Sequence, residues 1–283
     1  MPSAHVVKVP GRDIVIEAVP LTPEAFAPFG DVVENPRPDV HPSSAGTATS
    51  LPFHAVTANQ GSAIKYQHVS SQVNLYDQAP SGCPGSAIMS MFVCAARARI
   101  PDPAPTSVPG AGATAPDSPG QPPPTFQVSV LERHPFTTQT FIPLAANPAA
   151  RYLVIVAPTL PSATGDNEAA LPVPSRLPPS TANYPRPLPG GGLPDLRRLR
   201  AFVATATQAV TYGAGTWHAP MIALGEAGKA VDFVVVQFAN GVGVEDCQEA
   251  FLEAAADEKG VWVKLRPSVE GRGAKRRAET AKL

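Results

Sequence analysis

Proline is the residue type that most constrains what this chain can fold into. It occurs 35 times among 283 residues. Each proline lacks a backbone N–H and has a fixed φ, so it is disfavoured inside helices and in central strands. Apolar residues still make up 43% of the chain, which is enough for a sizeable core. We therefore predict a fold of short strands joined by many turns, with few helices.

The apolar residues occur mostly in short runs, which is typical of strands. The runs cover residues 63–69, 87–96, 126–131, 152–157, 201–206 and 231–238. A short helix is predicted after Thr22, because Thr22 is a good N-cap, Pro23 suits the first helical position and Gly30 offers a stop. Residues 245–256 are a second helix candidate with ambiguous apolar spacing. The pattern as a whole predicts an all-β protein.

Two proline-rich segments interrupt this rhythm, at residues 101–124 and 158–194. They contain few large apolar residues, so neither can bury enough surface to offset the entropy of ordering. We interpret both as solvent-exposed insertions in a single domain that spans residues 1–267. The remaining residues, 268–283, are predicted to be a flexible basic tail.

Charge and cysteine content exclude several classes of function. The 22 basic and 23 acidic residues give a formal charge of −1, which argues against a nucleic-acid partner. The three cysteines show no metal-ligand spacing and follow no signal peptide, which favours a reducing compartment. No apolar run approaches the length of a membrane span. We expect a soluble intracellular protein.

The most informative stretch runs from Val128 to Gln139. Because side chains alternate along a strand, Glu132 and His134 share one face and Arg133 points to the other. Gln139 follows after four further residues. The spacing Glu-x-His-x4-Gln resembles the first metal-binding motif of the cupins, which is usually His-x-His followed by Glu.

A second stretch ends at His218. Gly213 and Gly215 form a small turn ahead of Trp217 and His218, which resembles the second cupin motif, where a turn precedes the last histidine ligand. A histidine near a strand end is more often structural than a ligand, but two in this order favour one shared site. Glu132, His134, Gln139 and His218 suit a divalent metal such as Ni, Mn, Fe or Zn, although Gln is an uncommon ligand.

Several separate motifs resemble the ureidoglycolate lyase family. They are residues 21–26 and 29–34 near the start, 132–135, 138–139 and 141–143 in the centre, and 199–202, 212 and 217–220 later in the chain. The resemblance covers most of residues 18–250. It departs at Gly213, where many relatives carry a histidine. A less distinctive family stretch is similar to Asn59-Gln60-Gly61 and Lys65-Tyr66.

The resemblance implies a cupin-like double-stranded β-helix, a jelly-roll barrel with a second cupin-like half formed from N-terminal strands. It implies a homodimer that cleaves (S)-ureidoglycolate to glyoxylate and urea in purine breakdown, and a nickel requirement has been attached to some members. Glu132, His134, Gln139 and His218 are expected to converge inside the mouth of the barrel.

The reaction needs a base, an acid and a cation for the substrate carboxylate. Histidine suits proton transfer, so His218 is the expected base, and His134 and Glu132 orient the substrate or hold a metal. The substrate-binding candidates are Arg133, Gln139, Tyr212, Trp217, Asn59 and Lys65. Each also has a structural interpretation: a buried ion pair, an edge-strand charge, a core aromatic ring or a satisfied polar group.

Two other functions remain open from the residues alone. One is a different metal-dependent cupin enzyme, such as a dioxygenase or isomerase, that acts on a small hydroxy acid. The other is a cupin that binds glyoxylate without turnover, an alternative that Gly213 keeps open.

The C-terminal tripeptide bears on localisation. Ala281-Lys282-Leu283 is a conservative variant of the Ser-Lys-Leu peroxisomal address. We expect a peroxisomal import receptor as a partner. Otherwise the tripeptide is an incidental ending and the protein is cytoplasmic.

Overall fold

The computed structural model describes residues 3–9, 13–42, 50–97, 125–145, 147–161, 171–177, 186–253 and 260–265. The predicted insertion at 101–124 and the predicted tail at 268–283 lie outside these ranges, and the segment 158–194 is described in part. The described residues form seventeen strands and two four-residue helices, which confirms the prediction of an all-β protein. None of the described helices has the length and apolar character needed to cross a membrane.

The first half of the chain contributes nine strands. They are β1 (Ser3–Lys8), β2 (Ile14–Pro20), β3 (Gly30–Val33), β4 (Val56–Ala58), β5 (Ala63–Lys65), β6 (Ser86–Ala95), β7 (Thr125–Val128), β8 (Val130–Arg133) and β9 (Gln139–Pro143). The second half contributes eight more. They are β10 (Arg151–Ala157), β11 (Arg200–Thr205), β12 (Ala209–Tyr212), β13 (Trp217–His218), β14 (Ile222–Leu224), β15 (Ala230–Ala239), β16 (Gln248–Glu253) and β17 (Val261–Leu265).

The strands assemble into two main sheets and one small hairpin. The larger sheet has ten strands in the order β1-β16-β8-β13-β10-β11-β2-β17-β7, with β14 pairing β10 beside this path. The smaller sheet has five strands in the order β3-β12-β9-β15-β6. Strands β4 and β5 pair only with each other. This arrangement is consistent with the predicted cupin-like β-barrel.

The strand β10 is buried on both faces, as its unbroken apolar sequence predicts. Tyr152, Val154 and Val156 face one hydrophobic core, which the smaller sheet closes with residues such as Phe141 and Phe233. Because successive side chains of a strand point to opposite faces, the intervening residues of β10 enter a separate core.

The second core lies against the outer face of β10. Its members come from β2, β7, β8, β16 and β17, together with Trp217 of β13. The N-terminal strand β2 supplies one part of this core, and strands from throughout the chain supply the rest. This core packs against one face of the larger sheet. The opposite face of the same strands is turned toward the smaller sheet.

The short helices agree only in part with the sequence-based expectation. Helix α1 (Pro23–Phe26) begins after Thr22, whose Oγ1 accepts the N–H of Ala25 at 3.2 Å, as predicted. The helix predicted for residues 245–256 is wrong over most of the described part: helix α2 covers Gly243–Asp246, and Gln248–Glu253 form β16. The alternation of buried and exposed residues in β16 is that of a strand.

Gly30 begins β3 rather than stopping α1, which ends at Phe26. Residue 30 lies opposite Tyr212 in the β3–β12 pair. A Cβ atom at this position would overlap the backbone carbonyl of Thr211 and crowd the ring of Phe26. Only glycine allows this close approach of two backbones.

We predict that Gly30→Ala lowers the free energy of unfolding by about 1–3 kcal/mol, because the new methyl group forces the β3–β12 pair apart. Urea unfolding followed by circular dichroism measures the change. Gly225→Ala is the matched control, since a Cβ there meets only Ala96 Cβ at 3.8 Å. Equal stability of the two variants would contradict this packing argument.

Candidate active site

Two strands of the larger sheet bring the histidines together. Strand β13 pairs with β8 so that His218 lies directly opposite Glu132. Directly opposed residues of antiparallel strands project from the same face of the sheet. The turn before β13 is joined to the segment after β8, since the N–H of Gly215 donates to the carbonyl of His134 at 2.8 Å.

The side chains of Glu132, His134 and His218 form one compact cluster. Each side chain offers one atom that could bind a metal ion, and these three atoms all lie within 4.8 Å of one another. The two imidazole rings have centroids 5.5 Å apart at an angle of 38°. Glu132 Oε1 lies 3.6 Å from His218 Nε2, which is too long for a hydrogen bond and becomes an ion pair only when the ring is protonated.

Backbone carbonyls fix the tautomer of both histidines. Nδ1 of His134 lies 2.6 Å from the carbonyl oxygen of Asp246, and Nδ1 of His218 lies 2.9 Å from that of Thr216. Because a carbonyl only accepts, both Nδ1 atoms carry the proton and each neutral ring keeps its lone pair on Nε2. Both Nε2 atoms are buried and have no hydrogen-bond partner among the described residues.

Electrostatics keep the cluster in this state. Burial and the neighbouring His218 lower the pKa of His134, so this ring resists protonation. Burial raises the pKa of the Glu132 carboxyl. His218, His134 and Cys247 together lower this pKa by more than burial raises it, so the net shift is downward. The thiol of Cys247 lies 3.9 Å from Glu132 Oε2, and burial and that carboxylate raise its pKa to about 12. Glu132 is therefore an anion beside a neutral imidazole and a neutral thiol.

The smaller sheet supplies the opposite wall. The ring of Tyr212 stacks on His218 with centroids 4.0 Å apart and an angle of 12°. Gln139 is directly opposite both Tyr212 and Gln237 in its sheet, so all three share a face. Its Nε2 donates to Gln237 Oε1 at 2.6 Å. The hydroxyl of Tyr212 and Oε1 of Gln139 are buried without a hydrogen-bond partner among the described residues.

Arg133 and Trp217 lie on the other face of the sheet, and the structure does not bring them to the cluster. Cζ of Arg133 lies 4.6 Å from the centroid of the Trp217 ring. The guanidinium donates to Gln248 Oε1 and to the carbonyl of Gly190, both at 2.8 Å. Burial lowers the Arg133 pKa to about 9, which leaves it cationic at neutral pH. Nη2 of Arg133 and Nε1 of Trp217 are buried without a hydrogen-bond partner among the described residues.

Asn59 and Lys65 are also outside the cluster. They belong to the hairpin of β4 and β5, whose strands pair with no other described strand. Both residues are exposed to solvent. Lys65 therefore fits its structural interpretation as an edge-strand charge.

Two contacts that position residues of the candidate site were not predicted from the sequence. Gln237 accepts a hydrogen bond from the amide of Gln139 and so fixes its orientation. In the sequence, the only hint of this role is that Gln237 is a single amide within the apolar run of β15. Asp246 orients His134 through its backbone carbonyl, which no side-chain pattern reveals. Its carboxylate instead accepts from the hydroxyl of Tyr76 at 2.6 Å and from the N–H of Asn240 at 2.9 Å, which holds the carbonyl in place.

The donor set fits a divalent metal ion. Two preset Nε2 lone pairs beside a carboxylate are ligands that borderline metals such as Ni and Zn prefer, and backbone carbonyls hold both imidazoles as in many metal sites. The same groups also suit proton transfer. The fold and the cluster together are those of a cupin-like enzyme, with the cluster as its candidate active site.

Sequence comparison identifies the family. The profile of the ureidoglycolate lyase family matches residues 13–258. A ureidoglycolate lyase of Schizosaccharomyces pombe is 33% identical over 251 residues, which is 88% of this chain and 96% of the relative. One of Saccharomyces cerevisiae is 32% identical over 79% of this chain and 85% of its own length, and one of Burkholderia mallei is 29% identical over 77% and 78%. The chain belongs to the ureidoglycolate lyase family.

The lowered pKa of His134 makes a prediction about stability. The unfolded chain takes up a proton on this residue below about pH 6.5, whereas the native ring stays neutral to lower pH. In metal-free protein we expect the free energy of unfolding to fall as the pH drops from about 7 to 5, by up to about 1.4 kcal/mol per pH unit from His134. Glu132 acts in the same direction, but only below about pH 4.5, outside this range.

Urea unfolding at several pH values, with chelator present, measures this slope. His134→Gln removes the group and should flatten the dependence. His54→Gln, at an exposed position, is the control and should retain it. A wild-type slope in His134→Gln would show that the buried ring does not resist protonation.

Proposed function

We propose that this chain cleaves (S)-ureidoglycolate to glyoxylate and urea, with the Glu132, His134 and His218 cluster as its catalytic centre. One observation carries the proposal: two buried imidazoles present unpartnered Nε2 lone pairs beside a carboxylate, in a chain of the ureidoglycolate lyase family. Relatives that share the name occur in two yeasts and in bacteria.

The reaction is a redox-neutral elimination. The reacting carbon of ureidoglycolate carries a hydroxyl, a carboxylate, a hydrogen and the ureido nitrogen. A base removes the hydroxyl proton, the electron pair of that O–H bond forms the new carbonyl, and the carbon–nitrogen bond breaks. The departing nitrogen takes up a proton and leaves as urea. The site must therefore accept one proton, return one proton and hold an anionic substrate.

His218 is the proposed base. Its Nδ1–H is held by Thr216, so Nε2 is the nitrogen that accepts the hydroxyl proton. The imidazolium formed would lie 3.6 Å from Glu132, whose negative charge stabilises it. The same Nε2–H then returns a proton to the ureido nitrogen.

Three further residues are proposed to bind the substrate. Burial keeps the Tyr212 hydroxyl protonated by raising its pKa well above the ordinary value, so it serves as a hydrogen-bond donor. Gln139 offers its buried Oε1 to the ureido N–H groups. His134 remains neutral and orients the substrate through Nε2. Four residues have no part in this proposal. Arg133 and Trp217 are buried on the other face of the sheet, and Asn59 and Lys65 are exposed in the β4–β5 hairpin.

A divalent metal, Ni, Mn, Fe or Zn, would be held by His134, His218, Glu132 and Gln139. When bound it would polarise the hydroxyl or the carboxylate of the substrate. His218 Nε2 has one lone pair, which is used either for the metal or for the proton. Activity before and after chelation distinguishes the two uses.

We expect His218→Ala to abolish urea release from (S)-ureidoglycolate, with a fall in kcat of at least about 100-fold, while circular dichroism remains that of the native fold. His54→Ala, at an exposed histidine, should retain full activity. Urea is measured enzymatically, with and without prior chelation. A fully active His218→Ala variant would remove this residue from the mechanism.

The urea assay, combined with measurements of oxygen uptake and of glyoxylate binding, separates the other functions considered. Oxygen uptake without urea would indicate a dioxygenase on another hydroxy acid. Saturable glyoxylate binding without urea would indicate a binding protein.

We further propose that the chain forms a homodimer through β6. This ten-residue strand is at an edge of the smaller sheet, and β15 is the one described strand with which it forms a ladder. Met89, Met91 and Val93 are exposed on its outer face, at 74%, 56% and 69%. A long apolar edge strand left open is prone to association, so a second copy is the natural cover.

The dimer proposal predicts a mass of twice 29.4 kDa in light scattering. Val93→Lys should shift the protein to the monomer, since the charge would be buried at the interface. Val15→Lys changes an equally simple exposed valine in the other sheet and should remain dimeric. A wild-type monomer, or a dimeric Val93→Lys variant, would contradict the proposal.

Peroxisomal import through residues 281–283 stays a prediction. These residues lie outside the described part of the chain.

A further inference from the structure

A cavity lies beside the proposed catalytic centre. It has a volume of about 880 Å³ and is lined by residues of β2 and β11, by the turn that precedes β13 and by the segment 186–190. Glu132, His134 and His218 do not line it. Its apolar wall includes Val19, Phe29 and Leu199. The volume is within the range of cavities that hold small molecules.

Among the described residues, the charged side chains that line the cavity are all arginines. Arg197, Arg198 and Arg200 line it and are exposed to solvent, and no described residue forms an ion pair with any of them. No acidic side chain is among the lining residues. The nearest acid in the sequence, Asp195, accepts the backbone N–H of Arg197 at 3.1 Å. Three neighbouring guanidinium groups repel one another, and a bound anion would relieve this repulsion.

A fourth arginine in the cavity has a different role. Arg186 is buried and donates to the carbonyls of Ala27 and Gly30 and to the carboxylate of Asp31. It therefore holds the cavity wall to the start of β3. The free cationic surface belongs to the other three arginines.

We propose that this cavity binds a phosphorylated small molecule, with its phosphate groups on Arg197, Arg198 and Arg200 and its organic body against the apolar wall. A guanidinium group donates two parallel hydrogen bonds to two oxygens of one phosphate group, and several such groups together suit a multiply charged anion. A monocarboxylate such as ureidoglycolate would leave most of the positive charge unbalanced. The site is thus distinct from the proposed catalytic centre in both position and charge.

One wall of the cavity is formed by a turn whose backbone is hydrogen-bonded to both proposed catalytic histidines. Ala214, Gly215 and Thr216 line the cavity. The N–H of Gly215 binds the carbonyl of His134, and the carbonyl of Thr216 accepts Nδ1–H of His218. A ligand that contacts this turn acts on the geometry of both rings. Occupancy of the cavity therefore alters the rate of the reaction, a regulatory role that rests on the proposed function.

Binding is tested by calorimetry on the full chain with ADP and with pyrophosphate as probes, at fixed ionic strength. Pyrophosphate matches the charged part of ADP without the nucleoside. We expect ADP to bind at least about tenfold more tightly than pyrophosphate, because the apolar wall contacts only the nucleoside. The variant Arg197→Gln/Arg198→Gln should weaken both probes by at least about tenfold.

The matched control is Arg37→Gln/Arg176→Gln. It removes the same charge from two exposed arginines that pair with Asp39 and Asp77 away from the cavity. It should change binding by less than about twofold. Absence of binding by both probes, or equal weakening in the two double variants, would overturn the site. Equal affinity for ADP and pyrophosphate would overturn the role of the apolar wall.

The regulatory role has its own test. ADP at saturation should change kcat for urea release at least about twofold in the wild type and have no effect in Arg197→Gln/Arg198→Gln. An unchanged kcat with ADP bound would refute the link between the cavity and the imidazoles. His218→Ala should bind ADP like the wild type, so loss of the catalytic proposal and loss of the ADP site are distinguishable.

Discussion

The site depends on the pairing of β13 with β8. Strand β13 has only two residues, yet it pairs on both sides, with Glu132 of β8 and with Val156 of β10 opposite His218. This double pairing fixes the position of an imidazole that is far in sequence from its partners. Without it, Glu132 and His134 would form half of a site.

The turn that precedes β13 is equally constrained. Gly215 has a φ of +73°, and a Cβ there would overlap the ring of Pro189, so the position requires glycine on two grounds. The N–H of Gly213 and the hydroxyl of Thr216 both donate to the carbonyl of Phe29, at 2.8 and 2.9 Å. The N-terminal stretch near Phe29 therefore supports the turn that holds His218 in place, although Phe29 is remote from it in sequence.

Strand alternation was enough to predict half of the site. It put Glu132 and His134 on one face with Arg133 on the other, and the structure has this arrangement. The hydrogen-bond partners of Arg133 were not predictable. Gln248 and Gly190 lie 115 and 57 positions away in the sequence, and only tertiary packing brings them to the guanidinium group. The same reasoning explains Gln237. An amide inside an apolar strand acquires meaning only when β9 is known to be its neighbour.

The unpartnered nitrogens of the two histidines are the strongest physical argument for a functional site. A buried polar atom without a partner destabilises a fold by about 1–3 kcal/mol, and structures avoid leaving such atoms. Among the described residues seven side-chain atoms are in this state, and four of them, His134 Nε2, His218 Nε2, Gln139 Oε1 and the Tyr212 hydroxyl, belong to the cluster and its opposite wall. Four independent packing defects at one place would be a large penalty for a purely structural core. A ligand that satisfies them together, whether substrate or metal with substrate, accounts for all four at once.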